Sequence, residues 1–261
     1  MKKEIDVTLD ERRVRVAANI VYGQRKYWGG QIYRNLSLSL LYPEDVSHSG
    51  ESLPLIVWFC GGAFTEVDCN IWLPEMSRYA QRGFIVASVE YSTTPATVFP
   101  EQLEDAKLAI RFLKAHAKEY YLDPSRVAVM GESAGGYITV LCALTGKDKK
   151  YDKNGYEDYS DEVQAAVPWY APSQMSLMPR PHPGFVDVAP LITKDAPPFL
   201  VLHGDRDDLV PIQQSEILYE GLQKAGVDSD FVVIKGAAHG DPLLCQEKVR
   251  ELVTAFLSEK L

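Results

Sequence analysis

Positive charge is scarce in this sequence. Lysine and arginine together number 27 against 36 aspartate and glutamate residues, which gives a formal net charge of −9 at pH 7. A protein that binds nucleic acid or an anionic membrane needs a basic face, so this balance disfavours both kinds of partner. Long apolar runs are lacking too. No stretch of 18 consecutive apolar residues occurs, so we expect no membrane-spanning helix.

The amino-terminal stretch lacks the pattern of a secretory signal. Lys2 and Lys3 are positively charged, but no apolar segment follows them. A signal peptide needs such a segment directly behind its basic residues. The sequence therefore predicts a cytoplasmic protein.

Cysteine and cofactor motifs are also sparse. The cysteines are Cys60, Cys69, Cys142 and Cys245, and none of them forms a C-x-x-C pair. We expect buried free thiols in a reducing compartment and no metal site. The motifs G-x-x-x-x-G-K-[ST], G-x-G-x-x-G and H-E-x-x-H are absent. The sequence thus predicts neither a metal nor a cofactor.

What the sequence contains suits one α/β domain spanning residues 1–261. Apolar strands alternate with amphipathic helices, a pattern typical of a mostly parallel sheet with helices on both faces. Predicted strands are 4–9, 13–21, 35–42, 55–59, 84–89, 127–130, 163–170, 199–202 and 231–234. Predicted helices are 72–82, 101–120, 134–144, 213–225 and 245–260. Alternating polar and apolar residues in the early strands predict antiparallel pairing at the start of the sheet.

The least regular part of the sequence is residues 146–198. Its first section, 146–162, is polar and rich in lysine, aspartate and tyrosine, and its last section, 171–198, is rich in proline. A bare connection of this length is uncommon in a compact domain. We therefore expect 146–198 to form a small cap or a pocket segment.

A short glycine-flanked motif suggests a nucleophile. Residues 131–135 read G-E-S-A-G, fit G-x-S-x-G and follow the apolar run 127–130. Such a motif places a serine on a strained strand-to-helix turn, where bulk two positions before or after it would clash. Gly131 and Gly135 remove that bulk around Ser133. A glycine-rich turn with an ordinary serine is the alternative interpretation.

A serine hydroxyl is a poor nucleophile unless a base, itself oriented by an acid, lies within hydrogen-bond reach. The histidines are His48, His116, His182, His203 and His239. His203 and His239 both follow predicted strands, at the carboxyl ends where sites of doubly wound sheets gather. The chain order must be serine, acid, histidine. Only His239 has a strand-end acid between itself and Ser133. We predict that His239 is the base for Ser133, with a surface loop histidine as the alternative.

The orienting acid is expected in the turn after strand 199–202. Asp205, Asp207 and Asp208 all lie in this turn. Each of them also suits a helix cap or a turn, so spacing alone leaves the choice among the three open.

Catalysis by a serine also needs backbone N–H groups aimed at the developing negative oxygen. Ala134, the residue after the serine, would supply one such group. A second is expected from the glycine turn after strand 55–59, at Gly61, Gly62 or Ala63. A plain tight turn is the alternative for these glycines.

Five stretches together resemble the α/β-hydrolase esterase/lipase family. Within it, they are most similar to the bacterial feruloyl-esterase-like (BD-FAE-like) and acetylesterase-like branch, which is related to hormone-sensitive-lipase-type enzymes. The stretches are 55–64, 99–113, 123–136, 196–211 and 235–240. They are spread over most of the chain, and the resemblance implies an α/β-hydrolase fold.

The resemblance also implies roles for the residues that match the family's motifs. Ser133 would be the nucleophile and His239 the catalytic histidine. Residues 203–211 match the motif H-G-x-x-D-x-x-V-P, which implies that Asp207 is the acid.

The family's oxyanion turn, H-G-G-[GA], matches C-G-G-A at positions 60–63. This match implies that Gly62 and Ala63 donate N–H groups beside Ala134. Cys60 departs from the pattern, because the family usually has a histidine there that braces the turn. A second departure is Y-S-T-T-P at 91–95 in place of Y-R-L-x-P, which alters a loop near one wall of the site.

The resemblance implies a cofactor-free serine carboxylesterase that acts on a small-molecule ester. Short or aromatic acyl groups of acetyl or feruloyl type, on a carbohydrate alcohol, are expected over long lipid chains. Residues 147–154 are too charged for the apolar lid of a lipase. A small amidase such as a formamidase, a peptidase on the same fold, and a non-catalytic binding module are the alternatives.

Four aromatic residues are candidates for the pocket. Phe64, Trp72, Trp169 and Tyr170 could line a compact substrate pocket or equally belong to the core. The sequence leaves the oligomeric state open, with a homodimer among the options.

Overall fold

The computed structural model of the protein describes residues 1–178 and 184–261; residues 179–183, and His182 with them, lie outside the described ranges. The strands are β1 (Val14–Tyr27), β2 (Ile32–Pro43), β3 (Leu53–Phe59), β4 (Ile85–Val89), β5 (Leu122–Glu132), β6 (Ala165–Trp169), β7 (Phe199–Gly204) and β8 (Ser229–Ile234). The α-helices are α1 (Val46–Ser49), α2 (Leu73–Gln81), α3 (Glu101–Ala115), α4 (Ala134–Leu144), α5 (Gln213–Ala225) and α6 (Glu247–Lys260). Short 3₁₀ helices cover Trp28–Gly30, Lys149–Tyr151, Met175–Leu177, Ala189–Leu191 and Pro242–Cys245.

These strands form one sheet in the order β1-β2-β4-β3-β5-β6-β7-β8. The pairs β1–β2 and β2–β4 are antiparallel, and the remaining neighbours are parallel. The chain passes from β3 to β4 on one side and then crosses back to β5 on the other, so the direction of winding reverses beside β3. The predicted mostly parallel sheet with antiparallel amino-terminal strands is confirmed.

Strand β3 shows why the central strands read as unbroken apolar runs. Leu55, Val57 and Phe59 belong to one core cluster, and Ile56 and Trp58 belong to the other. The first cluster takes residues from α3, α4 and α5, and the second takes residues from α2 and α6, so helices cover both faces. All five side chains are fully buried, and each contributes roughly 1.5–3 kcal/mol to the free energy of folding.

The parallel strands bring four loops to one edge of the sheet. The glycine turn follows β3, Ser133 follows β5, Asp207 follows β7 and His239 follows β8. The carboxyl ends of parallel strands lie at the same edge, where open α/β sheets build their sites. The topology therefore gathers these loops without any further domain.

The predicted strand at 4–9 is wrong. Residues 1–10 form no strand, and Ile5, Val7 and Leu9 are all more than 80% exposed. Period-two alternation indicates a strand only where a partner is available to complete the ladder. The first strand begins instead at Val14, which pairs with Pro43 of β2.

The helix in the structure is shorter than the predicted helix 101–120. Helix α3 ends at Ala115, and a turn follows in which the Leu122 N–H donates to the Ala117 carbonyl at 3.0 Å. Tyr121 has a φ of 58°, which redirects the chain into β5. In the part of the chain that the structure describes, no helix is both long and apolar enough to cross a membrane.

The segment 146–198 is divided by strand β6. The portion before β6 is anchored to helix α3 by four charged side chains that are nearly or fully buried: Lys107, Arg111, Asp152 and Asp161. Lys107 Nζ lies 3.1 Å from Asp161 Oδ2, and Arg111 Nη1 lies 3.4 Å from Asp152 Oδ1. Two cations and two anions balance there, which lowers the cost of burying each charge. The polar segment 146–162 is thus anchored to α3 through two buried acidic residues, Asp152 and Asp161.

Candidate active site

Ser133 occupies a sharp turn between strand β5 and helix α4. Its backbone angles are φ 54° and ψ −122°, which a residue with a side chain adopts only under strain. Its N–H donates to the Trp169 carbonyl at 3.0 Å, which ties the turn to β6. A Cβ on Gly135 would lie 2.0 Å from the Phe59 carbonyl oxygen, and one on Gly131 would lie 2.6 Å from it. The two glycines therefore permit the turn by letting backbone pass against backbone.

His239 bridges the serine and an aspartate. Its Nε2 lies 3.0 Å from Ser133 Oγ, and its Nδ1 lies 2.7 Å from Asp207 Oδ2. An ionised carboxylate only accepts hydrogen bonds, so Nδ1 carries the proton that it shares with Asp207. In the neutral ring this leaves a lone pair on Nε2 facing the serine hydroxyl.

The Asp207 side chain is fully buried and strongly held. Its Oδ1 accepts the N–H groups of Leu209 and Val210 at 3.0 and 2.8 Å. Burial by itself opposes ionisation, but hydrogen bonds from His203, His239 and the Val210 N–H outweigh it and hold the pKa of Asp207 well below its usual range. The carboxylate thus stays charged beside His239.

The two neighbouring aspartates have other surroundings. Asp205 Oδ1 accepts the Gly236 N–H at 2.6 Å and so joins the loops after β7 and β8. Asp208 lines the cavity in front of Ser133. Of the three acids that spacing left open, Asp207 is the one that contacts His239.

The glycine turn after β3 has an unusual backbone. Gly62, Ala63 and Phe64 have φ values of 124°, 50° and 62°. A Cβ on Gly62 would lie 1.8 Å from the Glu66 carbonyl oxygen, so only glycine fits there. Within residues 1–178 and 184–261, the N–H groups of Gly62, Ala63 and Ala134 have no hydrogen-bond acceptor. These are the three N–H groups that the family resemblance implies as oxyanion donors.

A cavity of about 430 Å³ opens in front of the serine. Its lining residues are Ala63, Phe64, Ser133, Ala134, Pro172, Met175, Met178, Asp208, Leu209 and Val210. The walls are mainly apolar, and they come from the glycine turn, the segment after β6 and the turn that carries Asp207. Gly62 directly precedes the lining residue Ala63 in the chain but does not itself line the cavity.

The four aromatic pocket candidates have different positions. Phe64 lines the cavity. Trp72 and Trp169 instead pack around Trp58 in the core cluster on the α2 and α6 face, with ring centroids 5.4 Å from that of Trp58. The Tyr170 ring stands edge-on to the His239 ring at 4.6 Å. Tyr170 therefore packs against the histidine ring and is fully buried.

Two residues next to the site carried no sequence prediction of a role. His203 is fully buried, with Nδ1 2.7 Å from Ser215 Oγ. Its Nε2 lies 2.9 Å from the Val210 carbonyl oxygen and 3.3 Å from Asp207 Oδ2. Glu132 accepts the Gly61 N–H and the Trp72 Nε1–H. The position of His203 at the end of a strand could have indicated a role. Glu132 occupies an x position of G-x-S-x-G, where the motif requires no particular residue. In the described ranges, no group of three or more histidine, cysteine or acidic residues is placed to hold a metal ion.

Comparison with known proteins identifies the family and several relatives of this chain. The model of the BD-FAE family matches residues 40–190 and 185–222. A protein of Mycobacterium tuberculosis described as the probable carboxylic ester hydrolase LipM is 33% identical over 219 residues, which cover 75% of this chain and 50% of that protein. The chain spans about half the length of the curated relatives it matches.

Solved structures show the same fold. A truncated form of a carbohydrate esterase from gut microbiota has a TM-score of 0.83 at 22% identity, covering 94% of this chain and 96% of that chain. Esterase 2 of Thermogutta terrifontis, phosphorylated by paraoxon, has a TM-score of 0.78 at 25% identity, covering 97% and 95%. The sheet order and these similarities establish an α/β-hydrolase fold. With the family match covering well over half of the sequence, the chain belongs to the BD-FAE family.

Proposed function

We propose that the protein is a serine carboxylesterase that uses Ser133, His239 and Asp207. The observation that carries the proposal is the continuous hydrogen-bonded path from Asp207 through His239 to Ser133, at 2.7 and 3.0 Å, beside an apolar cavity. The relative LipM, described as a probable carboxylic ester hydrolase, and an esterase that paraoxon phosphorylates support it.

In the first half of the reaction, Ser133 Oγ attacks the carbonyl carbon of the ester. His239 Nε2 accepts the hydroxyl proton as the new C–O bond forms, and Asp207 stabilises the resulting imidazolium. The N–H groups of Ala134, Gly62 and Ala63 donate hydrogen bonds to the carbonyl oxygen and stabilise the negative charge that develops on it. The imidazolium then returns its proton to the alcohol as the ester bond breaks.

In the second half, water repeats the sequence on the acyl-enzyme. His239 takes a proton from the water while the oxygen attacks the acyl carbon, and the proton passes to Ser133 Oγ as the acid leaves. Fixed backbone donors are worth several kcal/mol in such transition states, because they do not have to reorganise during the reaction.

We propose short or aromatic acyl groups, of acetyl or feruloyl type, as substrates. The cavity of about 430 Å³ lies within the range of small-ligand sites, roughly 300–1,000 Å³. Met175 and Phe64 bound it with buried apolar side chains. The carbohydrate esterase among the structural neighbours supports a carbohydrate alcohol as the leaving group.

The proposal is tested with a panel of p-nitrophenyl esters from two to twelve acyl carbons, with methyl ferulate and acetylated xylo-oligosaccharides alongside. We expect the largest kcat/KM at short chains or on the ferulate. A maximum at twelve carbons would contradict the acyl preference.

A small amidase or a peptidase on the same fold is the second candidate. Amines leave less readily than alcohols, so an amidase must position its substrate more tightly. The matched p-nitroanilide series separates the two candidates. Hydrolysis of acetyl p-nitroanilide at a rate comparable to that of p-nitrophenyl acetate would favour the amidase.

A further inference from the structure

Glu132 joins the strand that carries the serine to the turn that carries the oxyanion donors. It is the last residue of β5, directly before Ser133, and only 8% of it is exposed. Its Oε1 accepts the backbone N–H of Gly61 and lies 3.3 Å from Trp72 Nε1. The transfer of a proton between Ser133 and His239 does not require this carboxylate.

The glycine turn packs directly on the carboxylate. A Cβ on Gly61 would lie 2.6 Å from Glu132 Oε1 and 2.7 Å from Oε2. Two further hydrogen bonds among the described residues hold carbonyl groups of the turn. Tyr91 Oη donates to the Cys60 carbonyl at 2.8 Å, and the Thr94 N–H donates to the Phe64 carbonyl at 2.8 Å.

Within the described ranges, Glu132 is the one side chain that accepts an N–H group from residues 60–64. The next two N–H groups along the turn, those of Gly62 and Ala63, have no acceptor there. A hydrogen bond to the Gly61 N–H fixes the peptide plane that precedes these donors. A rotation of that plane would change the direction in which they point.

The side chain at position 60 does not reach across to the nucleophile strand. Cys60 Sγ donates to the Asp68 carbonyl at 3.3 Å, within the same loop. Burial raises the pKa of this thiol to about 12, so it stays neutral. The turn therefore lacks a charged or bidentate brace from its own first residue.

We infer that Glu132 is a positioning residue, which holds the oxyanion turn in register with Ser133 through the Gly61 N–H. The inference rests on the proposed function and adds the group that aligns two parts of the site. Because Glu132 and Ser133 are adjacent, a single peptide unit links the nucleophile to the residue whose side chain holds the glycine turn. A movement of β5 would carry both together.

A competing role for Glu132 is electrostatic. Burial raises the pKa of Glu132, while the Gly61 N–H and the nearby His239 oppose the rise. A negative charge at this position would also stabilise the His239 imidazolium. The length and the charge of this side chain can be varied separately. Gln keeps the length without the charge, and Asp keeps the charge on a side chain shorter by one methylene.

The test compares Glu132→Gln, Glu132→Asp and Glu132→Ala with the wild type on p-nitrophenyl acetate. Glu75→Gln is the matched control, since Glu75 is a half-buried carboxylate that pairs with Arg250. Positioning predicts that Gln retains kcat within about tenfold, while Asp and Ala lose about 10²-fold in kcat with KM nearly unchanged. The affinity for a trifluoromethyl ketone, which forms an oxyanion on Ser133, should fall in the same order. Thermal midpoints identify any variant that fails to fold.

Two results would overturn the inference. One is Glu132→Ala with the kcat of the wild type. The other is a Glu132→Asp variant that retains activity while Glu132→Gln loses it and shifts the pH profile of kcat/KM. The function of Glu132 would then depend on its negative charge and not on the length of its side chain. If the wild type hydrolyses no ester, the proposed function fails and this inference falls with it, an outcome that is distinct from an active wild type with an active Glu132→Ala.

Discussion

His239 Nε2 lies 3.0 Å from Ser133 Oγ although 106 residues separate the two in the chain. Their strands, β8 and β5, have β6 and β7 between them in the sheet. The loop after β8 bridges this gap because it packs onto the end of β7, where a Cβ on Gly204 would lie 2.2 Å from the Ala237 carbonyl oxygen. The Arg206 N–H donates to the same carbonyl at 2.9 Å. The serine–histidine contact thus depends on close backbone packing between two loops.

Asp207 should be the acid that orients His239. Asp207→Asn keeps the shape of the side chain, but its one amide oxygen is needed by the Leu209 and Val210 N–H groups, so an NH2 donor faces His239 Nδ1 and favours the wrong histidine tautomer. We expect kcat to fall by about 10²–10⁴-fold. Asp205→Asn and Asp208→Asn are the matched controls in the same turn, and both should stay within about tenfold of the wild type. A large loss in either control, with Asp207→Asn nearly unaffected, would move the role to that residue.

Gly135 should not tolerate a side chain. The Cβ of Gly135→Ala would lie 2.0 Å from the backbone oxygen of Phe59, which cannot rotate away. We expect a loss of more than about 3 kcal/mol in the free energy of unfolding, or no folded protein at all. Gly50→Ala is the control, since its φ is 71° and, apart from its two chain neighbours, no atom of residues 1–178 and 184–261 lies within 4 Å of the added Cβ. It should cost only about 1 kcal/mol by urea denaturation.

The free cysteines should resist alkylation in the native state. Burial raises the pKa of Cys60 to about 12 and that of Cys245 to about 11, so the thiolate is a small fraction of either residue at pH 8. Cys245 is only partly buried, whereas Cys60 is 1% exposed. Iodoacetamide should therefore modify Cys245 slowly and faster as pH rises, and Cys60 only after unfolding, as read by peptide mass spectrometry. Rapid modification of native Cys60 at pH 8 would contradict this.

Met175 should limit the length of the acyl chain. It is 2% exposed and lines the cavity in front of Ser133. Met175→Ala should raise the ratio of kcat/KM for octanoyl over butyryl p-nitrophenyl ester, since each additional buried methylene is worth roughly 0.8 kcal/mol, or about fourfold. Leu177→Ala is the control, because Leu177 is 65% exposed and does not line the cavity. An unchanged ratio in Met175→Ala would place the acyl group elsewhere.

Periodicity was sufficient for most of the fold. Unbroken apolar runs such as 55–59 indicate strands buried on both faces, and the structure has β3 there. The segment 4–9 alternates polar and apolar residues as a half-exposed strand does, but it has no partner strand. Strand pairing depends on the whole sheet and cannot be seen in one segment. Helix α3 ended early for a similar reason, since Leu122 had to reach its partner Leu53 in β3.

The candidate site was only partly readable from local sequence. G-x-S-x-G and the strand-end histidine indicate chemistry through the residue types that they require. Spacing could not separate Asp207 from Asp205 and Asp208, because the distinction depends on which carboxylate faces His239 in three dimensions. Glu132 occupies a free position of its motif, and its partner Gly61 lies 71 residues away in the chain.

The central claim is that Ser133 is the nucleophile, and mass spectrometry after fluorophosphonate treatment tests it most directly. The wild type should lose ester hydrolysis while a single phosphonyl group appears on the peptide that contains Ser133. Folded Ser133→Ala should take up no label and should hydrolyse p-nitrophenyl acetate about 10⁴–10⁶-fold more slowly. A folded Ser133→Ala that keeps a tenth of the wild-type rate, or a label on another residue, would contradict it.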